Sequence, residues 1–134
     1  QIMGKVYEML GTSLYGRRIG VLGLTFKAGT DDIRNSFAPV IVDYLARRGA
    51  VITAYDPEVT AEAATAVRLA ATPYEAADGA DLLLVLTGWE QFGSLDFERI
   101  RGVMRSPNLV DGVNVLDPAQ MRRLGFTYVS VGRT

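Results

Sequence analysis

The chain of 134 residues contains no cysteine and no histidine. Within this chain, disulfides, thiolate nucleophiles and the usual zinc sites are therefore excluded, together with the side chain most often used as a general base near pH 7. We expect no metal site. Any acid–base chemistry would have to use lysine, aspartate, glutamate or tyrosine.

The chain also has no large excess of charge of either sign, because its 14 basic residues nearly balance its 15 acidic ones. No global field would attract nucleic acid or an anionic membrane, so any anion site must be local. No apolar run approaches the roughly 20 residues of a membrane span, and no basic segment followed by an apolar one marks a signal peptide. We expect a soluble, cytoplasmic protein with neither a nucleic acid nor a membrane as partner.

The chain does contain a regular alternation of apolar runs and amphipathic stretches, and 49 % of its residues are hydrophobic. The most continuous run, Asp81 to Thr87, is too short for a helix and predicts a central strand buried on both faces. The alternation predicts an α/β fold: a doubly wound, mostly parallel, Rossmann-like sheet of about six strands with helices on both faces.

The predicted strands and helices follow from periodicity, glycines and prolines. The strands are 19–24, 51–55, 67–71, 81–87, 108–110 and 126–131, and the helices are 38–48, 59–66, 73–79, 96–104 and 118–124, after a helical stretch within 1–15. In the helix 38–48, the apolar positions are Val40, Ile41, Tyr44 and Leu45. Thr72 and Asp117, each before a proline, are predicted N-caps.

The stretch from Gly23 to Ser36 is the main candidate site, because it follows a buried strand and precedes a helix. Its spacing matches neither the Walker A loop nor the G-x-G-x-x-G dinucleotide fingerprint. Lys27 and Arg34 could bind phosphate or sugar oxygens beside the free amides of a helix N-terminus. Alternatively, they pair with Asp31 and Asp32 and only hold the loop.

Other strand ends carry further candidates. Asp56 could hold a ribose hydroxyl, but without a glycine fingerprint turn chemistry is the simpler account. Trp89 could stack on a ring or pack in the core, which is the commoner role. The turn residues from Asp111 to Asn114 by themselves indicate only a loop.

Five segments stand out when they are taken together in order: GLTFKAGTDDIRNS at 23–36, AYDP at 54–57, ADLLLVLTGWEQF at 80–92, DGVNVLDP at 111–118 and GFTYVSVGR at 125–133. In this order they resemble the C-terminal, nucleotide-sugar-binding domain of the UDP-glucose/GDP-mannose dehydrogenase family. The likeness extends from about residue 16 to the end of the chain. Five ordered motifs are far more specific than any one of them.

The resemblance implies part of an enzyme that oxidises the C6 hydroxyl of a nucleotide sugar to a carboxylate, in two hydride transfers to NAD through a thioester on a cysteine. The family's N-terminal NAD-binding domain and its G-G-x-C-x-x-K-D motif do not occur here. Residues 1–15 are therefore expected to end a connecting helix and 16–134 to form the UDP-sugar-binding domain. The implied partners are the NAD domain and a dimer mate of the full-length protein, and the fragment alone should be inactive.

By position, the resemblance assigns Phe26, Lys27 and Asn114 to nucleotide-sugar binding and Arg34 to the NAD held by the other domain. It assigns no catalytic residue. Val113 stands where the family usually has an arginine that helps to hold the nucleotide, and valine cannot donate a hydrogen bond. Within the family, the AYDP and T-x-W motifs favour the UDP-sugar branch over the GDP-mannose branch, and UDP-glucose is the expected substrate. The alternatives are GDP-mannose, a UDP-N-acetyl-hexosamine, or a diverged, non-catalytic binding module.

Overall fold

A computed structural model of the chain describes residues 1–24, 37–59 and 67–131. Their strands form one six-stranded sheet in the order β3-β2-β1-β4-β5-β6, and every pairing in it is parallel. The strands are β1 Arg18–Leu22, β2 Val51–Tyr55, β3 Arg68–Leu69, β4 Leu82–Val85, β5 Asn108–Asp111 and β6 Thr127–Ser130. The strand order reverses between β1 and β4, so the predicted doubly wound α/β fold is confirmed.

The described residues also form five α-helices and one 3-10 helix. They are α1 Ile2–Leu10, α2 Ala38–Arg47, α3 Pro73–Ala77, α4 Phe97–Val103, α5 Pro118–Arg123 and the 3-10 helix Glu90–Ser94, which the sequence did not predict. Residues 60–66, most of another predicted helix, lie outside the described residues. Within the described ranges, no helix is both long and apolar enough to cross a membrane.

The sheet separates two apolar layers, and β4 contributes to both. Leu82 and Leu84 point into the layer that contains α1 and α2, whereas Leu83 and Val85 point into the layer that contains α3, α4 and α5. All four side chains are completely buried. The prediction of a central strand covered on both faces is therefore confirmed.

Helix α1 is packed as a core helix of this sheet. The side chain of Val6 is fully buried, and the hydroxyl of Tyr7 shares a 3.0 Å hydrogen bond with that of Tyr44 on α2. This bond raises the pKa of Tyr7 and lowers the pKa of Tyr44. The side chain of Arg17 donates to the carbonyl of Leu10 at 2.7 Å. The division of the chain into a connecting segment 1–15 and a domain 16–134 remains a prediction.

The buried face of α2 includes some, but not all, of the apolar positions named from the sequence. Ala38, Val42 and Leu45 are buried and Ile41 packs against the core, whereas Val40 is 67 % exposed. The sequence spacing allows two neighbouring faces of the helix, and the sheet contacts the one that begins with the small side chain of Ala38. Pro39 lies in the first turn, where its missing N–H would have no intrahelical acceptor.

Both predicted N-caps are confirmed. The Oγ1 atom of Thr72 accepts a hydrogen bond from Glu75 N at 3.1 Å. Asp117 Oδ1 accepts one from Ala119 N at 3.0 Å. These caps define the starts of α3 and α5, and so the connections that return the chain to β4 and β6.

Candidate functional site

Four strand ends meet at the carboxyl edge of the sheet, on either side of the point where the strand order reverses. Gly23 and Leu24 follow β1, Asp56 follows β2, Thr87 lies just beyond β4, and Asp111 ends β5. We call this region the switch-point edge. Because open parallel sheets bind ligands outside the carboxyl ends of their strands, it is the candidate site of this chain.

Three of the predicted site residues, Phe26, Lys27 and Arg34, fall in the stretch 25–36, which lies outside the described residues. Their roles remain proposals. The fourth, Asn114, is described and lies in the turn that follows β5. The described residues also show what holds the chain just before this stretch.

Asp56, at the end of β2, forms hydrogen bonds with residues that follow β1 and β4. Its side chain is buried, and Oδ2 accepts hydrogen bonds from Leu24 N at 2.7 Å and from Trp89 Nε1 at 3.3 Å. Its Oδ1 accepts from Glu58 N at 2.8 Å. These contacts support the turn interpretation of Asp56, and they give Trp89 a partly buried position with a fixed indole N–H. The backbone from which the 25–36 stretch departs is thus anchored at Leu24.

The residues of this chain do not fit a dinucleotide site of the NAD type. The glycines at 20, 23 and 29 do not have the spacing that brings a backbone against a pyrophosphate. Asp56, at the position where such a site binds a ribose hydroxyl, already accepts N–H groups on both oxygens. We therefore assign no NAD-binding step to the described residues.

Gly23 and Thr87 make the tightest approach at the switch-point edge. Gly23 has φ 103°, and a Cβ there would overlap Thr87 Oγ1, so only glycine fits. Thr87 is 1 % exposed, and within the described part of the chain its hydroxyl has no hydrogen-bond partner. A buried, unpaired hydroxyl costs about 1–3 kcal/mol of stability.

Asp111 organises the turn that carries Asn114. Its side chain is fully buried, and Oδ2 accepts from Leu116 N at 2.8 Å and from Tyr128 Oη at 2.9 Å. Its Oδ1 accepts from Val113 N at 3.2 Å. Asn114 has φ 58°, a left-handed conformation that asparagine adopts more readily than most residues. The sequence did not identify Asp111 as the residue that organises this turn.

The same turn packs against the sheet and against α1. Gly112 N donates to Val85 O at 2.8 Å. A Cβ on Gly112 would lie 2.9 Å from both Val85 O and Ile2 Cδ1, so a larger residue would have to displace them. The first turn of α1 therefore supports the backbone that presents Asn114.

The chain has several relatives among known proteins. Residues 20–118 match the model of the UDP-glucose/GDP-mannose dehydrogenase family, UDP binding domain. The UDP-glucose 6-dehydrogenase of Pseudomonas aeruginosa is 44 % identical over 141 aligned positions, which cover 96 % of this chain and 31 % of that protein. The UDP-glucose 6-dehydrogenase of Rhizobium meliloti is 42 % identical over 96 % of this chain and 30 % of that protein. The chain thus spans about a third of the length of these curated relatives.

A solved structure shares this fold. The UDP-D-ManNAc dehydrogenase from Pyrococcus horikoshii superposes with a TM-score of 0.83 at 29 % identity. The superposition covers 98 % of this chain and 30 % of that one. Both α1 and the sheet therefore have counterparts in that structure.

Proposed function

Because the chain belongs to the UDP-glucose/GDP-mannose dehydrogenase family, we propose that it is the nucleotide-sugar-binding domain of an NAD-dependent UDP-glucose 6-dehydrogenase, which oxidises UDP-glucose to UDP-glucuronate. The match of residues 20–118 to the family's UDP-binding domain carries this proposal. The names of the two curated relatives support UDP-glucose over GDP-mannose. A UDP-N-acetyl-hexosamine is the second candidate, supported by the likeness to the UDP-D-ManNAc dehydrogenase.

In this proposal the switch-point edge binds the nucleotide sugar. Lys27 reaches the sugar or the diphosphate, Phe26 lines the site, and Asn114 adds an amide from the turn after β5. The bonds of Asp56 to Leu24 N and of Asp111 within its turn support the proposal, because they hold the two flanking backbones before a ligand arrives.

The chemical step would take place outside this chain. No cysteine is present to form a thioester, so the fragment alone should be inactive. NAD would supply the hydride acceptor from an N-terminal domain, with Arg34 directed towards it. That domain and a dimer mate are the proposed partners, and a cytoplasmic location belongs to the same proposal.

Replacing Lys27 by alanine tests the binding role most directly. We expect Lys27→Ala to weaken UDP-glucose binding about 10-fold or more, because hydrogen bonds to a charged group contribute about 1.5–3 kcal/mol. Titration of the ¹⁵N-labelled chain by NMR measures this, since the isolated domain, with much of the site's walls absent, should bind weakly.

Lys5→Ala is the matched control, because Lys5 lies on α1 and pairs only loosely with Glu8 at 4.0 Å. Equal affinities of the wild type and Lys27→Ala would contradict the role of Lys27. A submicromolar Kd of the wild-type chain would contradict the proposal that it supplies only part of the site. Parallel titrations with GDP-mannose and a UDP-N-acetyl-hexosamine separate the candidate substrates.

Introducing the arginine that the family usually carries tests whether the chain has diverged into a binding module. Val113 is partly buried and packs against the apolar layer of α3, α4 and α5. An arginine there can lay its methylene groups on the same surface and extend its guanidinium towards the ligand. We expect Val113→Arg to raise UDP-glucose affinity about 10-fold, as a new charge-assisted hydrogen bond would.

Val113→Gln is the control, because it adds length and polarity without charge. If Val113→Arg and Val113→Gln both bind UDP-glucose as the wild type does, the missing arginine does not limit binding. The hypothesis that Val113 marks a lost nucleotide site would then be wrong.

A further inference from the structure

The hydroxyl of Thr87 is the feature of the switch-point edge that the contacts of the free chain leave unexplained. Thr87 is the last residue of the buried run 80–87, which contains β4, and it lies where the strand order reverses between β1 and β4. Within the described residues, its Oγ1 atom is buried and has no hydrogen-bond partner. Buried side-chain polar atoms are paired in the large majority of cases, so an exception requires a reason.

The surroundings of this hydroxyl combine a closed side with an open one. On the closed side, Gly23 leaves room for Oγ1 because it has no side chain. On the open side, the next residue, Gly88, is exposed, and a Cβ there would have no atom of the described residues within 4 Å. The hydroxyl therefore lies beside an uncrowded part of the edge, where a ligand could approach after a small local displacement.

Packing alone does not call for a hydroxyl at this position. Valine has nearly the same shape as threonine and would bury a methyl group in place of an unpaired polar atom. Groups that lower stability in the free protein are found where binding needs them. The hydroxyl of Thr87 is therefore best explained by a partner that the free chain does not contain.

We propose that Thr87 is a binding residue for the nucleotide sugar and that its hydroxyl donates a hydrogen bond to an oxygen of the bound ligand. This inference rests on the function proposed above. The acceptor is either a diphosphate oxygen or a hydroxyl of the sugar. Titration with UDP and with UDP-glucose distinguishes these sources, because only UDP-glucose carries the sugar.

The experiment compares four variants of this chain by NMR titration with both nucleotides. Thr87→Val and Thr87→Ala lack the hydroxyl, and we expect each to weaken binding about 10-fold. Thr87→Ser keeps the hydroxyl and should bind within about 3-fold of the wild type. Thr127→Val is the matched control, because Thr127 is exposed at the opposite, amino edge of the sheet, and its affinity should not change. If Thr87→Val does not fold, Thr87→Ala is the variant without the hydroxyl that is compared with the wild type.

Thermal melting of the free chain supplies a second readout. Thr87→Val should melt at or above the wild-type temperature, because the Thr87 hydroxyl has no hydrogen-bond partner among the described residues of the free chain. A purely structural hydroxyl would instead give a lower melting temperature in Thr87→Val.

The outcomes separate this inference from the proposed function. Wild-type binding together with unchanged affinity in Thr87→Val and Thr87→Ala overturns the inference alone. The inference is also overturned if Thr87→Ser loses as much affinity as Thr87→Val does. No binding of either nucleotide by the wild type overturns the proposed function, and the inference with it.

Discussion

Deletion of residues 1–14 is expected to abolish the cooperative thermal unfolding of this chain. The segment buries four aliphatic side chains against the sheet: Ile2, Val6, Leu10 and Leu14, which are 8 %, 0 %, 5 % and 2 % exposed. Truncating one such side chain to alanine costs about 2–5 kcal/mol. The loss of all four is comparable with the entire stability of a domain, about 5–15 kcal/mol.

Circular dichroism during thermal melting measures the loss of cooperative unfolding. Point variants measure the contribution of single side chains of α1 to stability. Val6→Ala should lower the free energy of unfolding by about 2–3 kcal/mol, whereas Lys5→Ala on the same helix should leave it within about 0.5 kcal/mol of the wild type. A truncated chain that melts cooperatively at the wild-type temperature would contradict the expectation. It would also support the predicted division into a connecting segment 1–15 and an independent domain 16–134.

The sequence predicts the elements of this fold well because most of them depend on local patterns. The run at Asp81 to Thr87 identifies a fully buried strand, and proline after Thr72 and Asp117 marks helix starts. The exposure of Val40 does not follow from the pattern, since an amphipathic spacing does not decide which of two adjacent faces meets the sheet.

The candidate site was harder to predict because its contacts join residues far apart in the chain. Asp56 and Leu24 are 32 residues apart, and Asp111 and Tyr128 are 17 apart. The sequence does not distinguish a carboxylate at a strand end that binds a ligand from one that holds the backbone. Only the positions of its donors decide, and for Asp56 the donors among the described residues are N–H groups of its own chain.

The resemblance identified the family, whereas periodicity predicted only strands and helices, because a resemblance compares whole motifs in order. The family it implied is confirmed by the match over residues 20–118 and by the curated relatives. The roles of Phe26, Lys27 and Arg34 stay predictions, since these residues lie outside the described part of the chain. For Asn114 the structure adds the physical reason for its position, a turn held by a buried carboxylate.

Replacing Asp111 by alanine is expected to lower the free energy of unfolding by about 3–5 kcal/mol. Among the described residues, the change leaves three donors without their acceptor: Val113 N, Leu116 N and Tyr128 Oη. Each buried donor that loses its partner costs about 1–3 kcal/mol, and the losses overlap because the groups share one carboxylate. Urea denaturation measures the change.

Two variants control for the loss of an aspartate and for the loss of a single bond. Asp117→Ala removes an exposed N-cap and should cost only about 1 kcal/mol. Tyr128→Phe removes one donor while Asp111 keeps the bonds from Val113 N and Leu116 N, so it should also cost about 1 kcal/mol. An Asp111→Ala variant no less stable than Asp117→Ala would show that the buried carboxylate does not hold the turn.

Asp111→Asn separates the fold of the turn from its charge. Asparagine keeps one oxygen that can accept from Leu116 N and Tyr128 Oη, and it loses the longer bond from Val113 N. We therefore expect this variant to retain most of the stability lost in Asp111→Ala. If the turn presents Asn114 to the nucleotide sugar, UDP-glucose affinity should follow the same order: wild type, then Asp111→Asn, then Asp111→Ala. Equal affinity in all three folded proteins would mean that the turn after β5 does not contact the ligand, and would remove Asn114 from the proposed site.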